Sequence, residues 1–139
     1  MTHQIMIVDD SVMMRVVLRA YVNSLDGFDI VATPDNGKKA LAQLVNFPDL
    51  AFILLDLEMP EMDGFDFLSL ARSKTKAKII VLSALLAPDY PYAEKNIERC
   101  KKLGADAVIS KPSGTVSVDL ADKRGEHLLQ VMQNFVEQL

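Results

Sequence analysis

The sequence predicts an α/β domain in which a doubly wound, five-stranded parallel sheet has helices on both faces. Short apolar runs alternate along the chain with longer amphipathic stretches. Four of the five short runs are continuously apolar, as strands require when helices cover both faces of a sheet. Such alternation favours parallel strands joined by right-handed crossovers, so the element order reads (βα)₅.

The five predicted strands are the apolar runs at residues 5–8, 30–32, 50–55, 79–82 and 107–109. Apolar residues at helical spacing predict a helix after each strand. We expect Ser11 to cap the first helix and Gly104 to end the fourth. The residues that mark the five helices are Met14, Val17, Leu18, Tyr21 and Leu25; Leu41, Leu44 and Val45; Phe65, Leu68 and Ala71; Ala93, Ile97, Cys100 and Leu103; and Leu128, Val131, Met132, Phe135 and Leu139.

Composition narrows the class of protein. The 139 residues suit one domain, so residues 1–139 are expected to form a single unit. A single cysteine, Cys100, excludes a disulfide scaffold and a cysteine zinc site. The formal net charge of −4 gives no reason to expect direct nucleic-acid binding. No apolar run approaches membrane-spanning length and no secretion signal is apparent, so we expect a cytoplasmic protein without a membrane role.

Polar side chains stand directly after the predicted strands. Ligands of open α/β sheets bind beyond the carboxyl ends of the strands, where the strand order reverses. We therefore expect these side chains to converge on one rim of the sheet. They are Asp9 and Asp10 after strand one, Asp56 after strand three, Ser83 after strand four and Lys111 after strand five.

Each aspartate alone has an ordinary explanation, because an aspartate after a strand commonly caps a helix or forms a turn. Three carboxylates within a few ångströms repel one another, however, and that cost favours a bound cation or a displaced proton. Hard oxygen ligands suit Mg²⁺, with Mn²⁺ as a possible substitute. The pattern therefore predicts a divalent metal site at Asp9, Asp10 and Asp56.

Four separate motifs in order resemble the receiver domain of bacterial response regulators. They are residues 8–11 (VDDS), 55–64 (LDLEMPEMDG), 82–84 (LSA) and 110–112 (SKP). The resemblance covers nearly the whole chain and implies a flavodoxin-like fold with strand order 2-1-3-4-5. It also implies a phosphorylation-controlled signalling switch rather than a turnover enzyme, with only Mg²⁺-dependent self-phosphorylation and slow self-dephosphorylation.

Carried over by position, the resemblance implies a role for each rim residue. Asp56 would be the phosphoacceptor, and Asp10 and Asp9 would bind Mg²⁺, Asp9 largely through water. Glu58 would offer its backbone carbonyl to the metal. Lys111 would pair with the phosphoryl oxygens and Ser83 would donate its hydroxyl to them, and a cis bond is implied at Lys111–Pro112. The implied partners are a sensor histidine kinase and a downstream effector domain or protein.

A narrower resemblance points to receivers of chemotaxis protein-glutamate methylesterases, through residues 56–64, 111–114 (KPSG) and 117–120 (SVDL). The esterase domain of those proteins is absent from these 139 residues. The chain is then either an isolated N-terminal domain or a free-standing relative. A chemotaxis-type kinase is the corresponding partner.

Two other functions share parts of the pattern. An aspartyl-phosphate hydrolase also places a nucleophilic aspartate after a strand, but its acid/base aspartate two residues later would be Glu58 here. A flavin or nucleotide carrier on the same fold would need a phosphate-binding loop after strand one, where Asp9 and Asp10 would repel a phosphate.

Some residues depart from the receiver pattern or suggest no function. Val108 replaces an aromatic residue that often acts as a rotamer switch, so aromatic gating is not expected. Residues 85–92 are longer than in minimal receivers, so the fourth helix is expected to start late. Cys100 is expected to be buried filler, and His3 and His127 surface residues. We expect Met13, Met14, Met59 and Met62 to be core or turn residues.

Overall fold

The architecture is the predicted one. A computed structural model describes residues 2–110 and 123–138. Its strands form one five-stranded parallel sheet in the order β2-β1-β3-β4-β5. Their bounds are β1 His3–Val8, β2 Phe28–Ala32, β3 Leu50–Leu55, β4 Lys78–Ser83 and β5 Ala107–Ser110.

In the part of the chain that the structure describes, five α-helices connect and follow the strands, as the (βα)₅ pattern predicts. Ser11 caps the first helix by accepting a hydrogen bond from the Met14 amide at 3.1 Å. Gly104 follows the fourth helix with φ +105°, which confirms the predicted glycine at its end. The bounds are α1 Val12–Asn23, α2 Gly37–Gln43, α3 Gly64–Ala71, α4 Ala93–Lys102 and α5 Lys123–Glu137, with short 3₁₀ helices at Leu44–Asn46 and Ala84–Leu86.

The core lies on both faces of the sheet, because successive strand residues point to opposite sides. Met6 and Val8 of β1 pack in one cluster, with apolar residues of α2, α3 and α4. Ile5 and Ile7 pack in the other cluster, with residues of α1 and α5. All four side chains are fully buried. The continuous apolar runs of the sequence are therefore explained by helices on both faces.

Several expectations about individual residues are corrected. Val45 does not lie on a buried helix face: α2 ends at Gln43, and Val45 in the following 3₁₀ turn is 82% exposed. Met13 is no core residue, since it is 57% exposed on α1. His3 is half-buried rather than on the surface, because its ring packs against Phe28 at a centroid distance of 6.1 Å.

Other expectations hold. Met14 is buried, Met59 and Met62 pack against the core, and His127 is exposed. Helix α4 starts late, at residue 93, after the 3₁₀ helix Ala84–Leu86 and an irregular segment. Among the described residues, no helix has the length and apolar character needed to cross a membrane.

The topology also fixes where a ligand site would form. Strand β1 pairs with β2 on one side and β3 on the other, so the strand order reverses between β1 and β3. In sheets of this type the crevice beyond the carboxyl ends of these strands is the usual ligand site. The residues that follow β1 and β3 are Asp9, Asp10 and Asp56.

Candidate functional site

The three predicted carboxylates converge on the rim of the sheet. One carboxylate oxygen from each of Asp9, Asp10 and Asp56 lies within 4.8 Å of the other two. Asp9 is 2% exposed and Asp56 is 8% exposed, whereas Asp10 is exposed to solvent. The cluster therefore has two buried carboxylates and one at the protein surface.

Asp9 is fixed by the turn between β1 and α1. The Ser11 amide donates to Asp9 Oδ1 at 2.9 Å, and an Arg15 guanidinium nitrogen donates to the Asp9 carbonyl at 2.8 Å. The Asp9 amide itself donates to the Pro34 carbonyl at 3.3 Å, which ties the turn to the end of β2. These bonds hold the Asp9 carboxylate close to the first turn of α1.

Asp56 is fixed at the junction of β3 and β1. Its amide donates to the Val8 carbonyl at 2.9 Å, extending the pairing of the two strands by one residue. The Leu57 amide donates to Asp56 Oδ1 at 2.8 Å. This bond sets the rotation of the carboxylate and directs it toward the turn that carries Asp9.

The loop after Asp56 folds back tightly beneath it. The Gly64 amide donates to the Leu57 carbonyl at 2.9 Å. A Cβ atom at residue 64 would lie 2.3 Å from the Asp56 carbonyl oxygen and 2.6 Å from Leu57 Cα. Glycine is therefore required by the close approach of two backbones, and α3 begins against the end of β3 for this reason.

Ser83 ends β4 and is fully buried. Its hydroxyl oxygen accepts a hydrogen bond from the Leu85 amide at 3.2 Å, which caps the 3₁₀ helix Ala84–Leu86. A hydroxyl that accepts in this way retains its hydrogen for donation to another group. Ser83 also pairs in register with Ser110, the residue that precedes Lys111.

Three predicted features lie outside the described residues: Lys111, the cis bond at Lys111–Pro112, and Leu139 at the end of the fifth helix. Glu58 is exposed in the loop after Asp56, and the role of its backbone carbonyl stays a prediction. Val108 is half-buried in β5 and packs against the core. No aromatic side chain stands at that position.

The donor set fits a hard divalent cation. Carboxylate oxygens are the ligands that Mg²⁺ and Mn²⁺ prefer, and Mg²⁺ uses few protein carboxylates while keeping several waters. Buried Asp9 and Asp56 beside exposed Asp10 leave one side of the cluster open to solvent. That open side suits an ion that keeps waters.

Sequence reasoning missed several supports of this site. The Arg15 bond to the Asp9 carbonyl joins residues six positions apart across a turn, and no local pattern marks it. Gly64 belongs to the 55–64 motif, but its role depends on a backbone approach that only the fold reveals. The exposed apolar side chains of Val12, Met13 and Val16 on α1 were equally unexpected.

Comparison with known proteins identifies the protein family. Residues 5–121 match the response regulator receiver domain family. The chain belongs to this family.

The proteins to which this chain is similar include chemotaxis proteins. The chain is 38% identical over 119 residues to a protein-glutamate methylesterase/protein-glutamine glutaminase of Treponema denticola, covering 84% of this chain and 30% of that protein. The receiver domain of Thermotoga maritima CheB has a TM-score of 0.82 at 25% identity, with 97% of each chain covered. This chain spans about a third of the length of the curated relatives it matches.

A further similarity is to a chain in the crystal structure of the P1 domain of CheA3 in complex with CheY6 from R. sphaeroides. The TM-score is 0.75 at 41% identity, and 97% of each chain is covered. The domain is thus CheY-like in fold and resembles the regulatory domain of CheB.

Proposed function

We propose that this receiver domain is a phosphorylation-controlled switch that accepts a phosphoryl group on Asp56 in a Mg²⁺-dependent reaction. The observation that carries this proposal is the approach of the Asp9, Asp10 and Asp56 carboxylate oxygens to within 4.8 Å. Family membership supports it, because residues 5–121, which match the receiver family, include all three aspartates. The domain is then a phosphoacceptor and not a turnover enzyme.

Electrostatics explains why a cation is needed. Two unit charges 4 Å apart interact by roughly 4 kcal/mol at an effective dielectric near 20. A phosphoryl group approaching Asp56 adds anionic oxygens to a cluster that already holds three carboxylates. A divalent ion held by Asp9, Asp10, Asp56 and the Glu58 carbonyl would supply the neutralising charge. Lys111 would add a compact ammonium contact to the phosphoryl oxygens.

The protein takes part in the phosphoryl transfer through a single covalent step. A carboxylate oxygen of Asp56 attacks phosphorus, forming an O–P bond as the bond from phosphorus to the donor breaks. With a phosphohistidine donor, the departing nitrogen takes the electron pair of the P–N bond. The contribution of the domain is orientation, which the Leu57 amide gives to Asp56 by its 2.8 Å bond to Oδ1.

Hydrogen bonds of Ser83 would couple phosphorylation of Asp56 to a conformational change at the protein surface. Its hydroxyl oxygen accepts from the Leu85 amide and thereby caps the 3₁₀ helix Ala84–Leu86. A hydrogen bond from Ser83 to the phosphoryl group would move the Ser83 hydroxyl relative to the Leu85 amide and so disturb this cap. We expect the segment leading into α4 to shift, since Asn96 of α4 also donates to the Leu85 carbonyl at 3.0 Å. Helix α4 and β5 would then present an altered surface to an effector.

The proposed donor is a chemotaxis-type sensor histidine kinase of the cytoplasm. A similar chain occurs in a structure with the P1 domain of CheA3. The exposed apolar side chains of Val12, Met13 and Val16 lie on α1, which starts directly after the Asp9 turn, and they offer a contact surface for the kinase. Resemblance to methylesterase receivers further suggests a regulatory domain of such an enzyme.

The test is labelling with acetyl phosphate, read by intact mass. We expect one added phosphoryl group when Mg²⁺ is present and none after chelation. The Asp56→Asn variant should not be labelled. Asp49→Asn is the matched control, since Asp49 is exposed and stands before β3 rather than after it. Labelling that survives Asp56→Asn or chelation would refute the proposal.

A further inference from the structure

The outer edge of the sheet carries a groove that the proposed switch does not use. Within residues 2–110 and 123–138, β2 is an edge strand that pairs only with β1. Beyond it a cavity of about 630 Å³ lies between α1 and α2, and a second of about 260 Å³ continues along β2 toward Ile30. Both cavities share Arg19, Val31, Ala32 and Thr33, so they form one groove along the strand edge.

The strand edge offers backbone groups for pairing. In a parallel pair, alternate N–H and C=O groups of an edge strand point away from the partner strand. The ladder with β1 also skips one residue, because Ile5 pairs with Ile30 and Met6 with Ala32. Val31 therefore has no register partner, and it lines the groove. Outside the ladder, no backbone–backbone hydrogen bond of the described residues involves Phe28–Ala32.

The groove differs in charge from the protein as a whole. Its lining carries three cationic side chains and one carboxylate, whereas the chain has a formal net charge of −4. Arg19 donates to the Thr33 hydroxyl at 2.8 Å, and Lys39 pairs with Asp35 at 2.9 Å. Arg15 supplies the third cation. These contacts hold cations on both sides of the open strand edge, on α1 and on α2.

We propose that this groove binds an extended, acidic peptide segment of a partner protein, which pairs with the backbone of β2 as an added strand. Backbone pairing would supply affinity, and successive acidic side chains, which point to opposite faces of a strand, would meet Arg19 on α1 and Lys39 on α2. A second copy of this chain fits less well. Edge-to-edge pairing of two copies would bring the exposed carboxylate of Asp29 and the groove cations toward their own equivalents, and like charges repel.

The test uses the whole chain and a synthetic acetylated peptide in which pairs of adjacent glutamates alternate with pairs of threonines, so that glutamates lie on both faces of the added strand. Fluorescence anisotropy should show binding of a labelled peptide, and hydrogen exchange should show slowed exchange at Val31 and Thr33. The double variant Arg19→Glu/Lys39→Glu should weaken binding by roughly tenfold or more. The matched control Lys95→Glu/Lys101→Glu makes the same charge change on exposed positions of α4 and should leave binding unchanged.

A second peptide separates strand pairing from simple charge attraction. The same sequence with every backbone nitrogen methylated keeps its charge but lacks the N–H donors, so it should lose binding. Equal binding of the methylated peptide, or equal weakening in both double variants, would overturn the proposal. Absence of binding at millimolar peptide, or dimerisation of the free chain that blocks Val31 exchange, would overturn it as well.

Discussion

Gly64 lies so close to Asp56 that a Cβ atom at residue 64 would stand 2.3 Å from the Asp56 carbonyl oxygen. The first turn of α3 therefore packs directly against the backbone of Asp56, the residue proposed to accept the phosphoryl group. The Asp63 side chain caps the same turn by accepting from the Asp66 amide at 2.9 Å. The position of the Asp56 backbone thus depends on the start of α3.

Substitution of Gly64 by alanine should therefore destabilise the domain. The added methyl group meets backbone atoms of Asp56 and Leu57 that cannot rotate away. Overpacking of this kind costs about 1–3 kcal/mol in the free energy of unfolding, which urea denaturation would measure. The control is Ser69→Ala on the exposed face of α3, which should change stability by less than about 0.5 kcal/mol. Equal stability of the two variants would show that the loop between β3 and α3 shifts to accommodate the added methyl group.

Divalent metal binding should depend on Asp10. Removing its charge leaves two carboxylates for the ion, so Asp10→Asn should weaken Mg²⁺ or Mn²⁺ binding by roughly tenfold, equivalent to about 1.4 kcal/mol. Calorimetric titration with Mn²⁺ would measure the affinity. Asp66→Asn removes an exposed carboxylate on α3, outside the cluster, and should have no effect. Unchanged affinity in Asp10→Asn would show that the ion binds elsewhere.

The carboxylate cluster could be predicted from the sequence because it depends on topology alone. Continuous apolar runs identify buried parallel strands, and residues after such strands meet at one rim. The convergence of Asp9, Asp10 and Asp56 could be predicted without further information. By contrast, the bond from Arg15 to the Asp9 carbonyl depends on side-chain packing across a turn. No spacing in the sequence specifies such a contact.

Binding of beryllofluoride, a phosphoryl mimic, should perturb one part of the domain selectively. We expect amide shifts in residues 84–92 and 108–110 to exceed those of α2, because Ser83 caps Ala84–Leu86 and pairs with Ser110. NMR spectra with and without the mimic would show the difference. Ser83→Ala should suppress the response and Ser83→Thr, which keeps the hydroxyl, should restore it. Equal shifts in α2 would contradict this route.

The thiol of Cys100 should be unreactive in the folded protein. Burial raises the pKa of Cys100 to about 11, from an ordinary 9.0, since the thiolate is desolvated. At about pH 8 only about one molecule in a thousand would carry the thiolate, which is the reactive form. A disulfide reagent should therefore label the native chain slowly and the urea-unfolded chain fast. Rapid labelling of the native chain would mean that α4 opens readily.

The raised pKa also has a consequence for stability. Because the unfolded chain ionises at lower pH than the folded chain, folding loses stability as pH rises from about 9 toward about 11. Cys100→Ala should remove that part of the pH dependence, although it leaves a smaller side chain in the core. The measurement is the free energy of unfolding across this range for both proteins. Identical pH profiles would show that Cys100 does not titrate in this way.

Some errors of prediction came from the ends of helices. Val45 continues the apolar spacing of α2, but the chain tightens into a 3₁₀ turn after Gln43 and leaves the side chain exposed. Met13 is adjacent to buried Met14, yet the helix turns it 57% to solvent. Residue type alone does not distinguish these cases, because one residue along a helix changes the face by about 100°.

The identity of the phosphorylated residue tests the central claim most directly. An aspartyl phosphate is an acyl phosphate, and borohydride reduces it to homoserine. The chain labelled with acetyl phosphate in Mg²⁺ would be reduced, digested and sequenced by mass spectrometry. Homoserine should appear at position 56, because the Leu57 amide orients that carboxylate beside Asp9 and Asp10. Homoserine at position 9 or 10, or at no position of the cluster, would contradict the account.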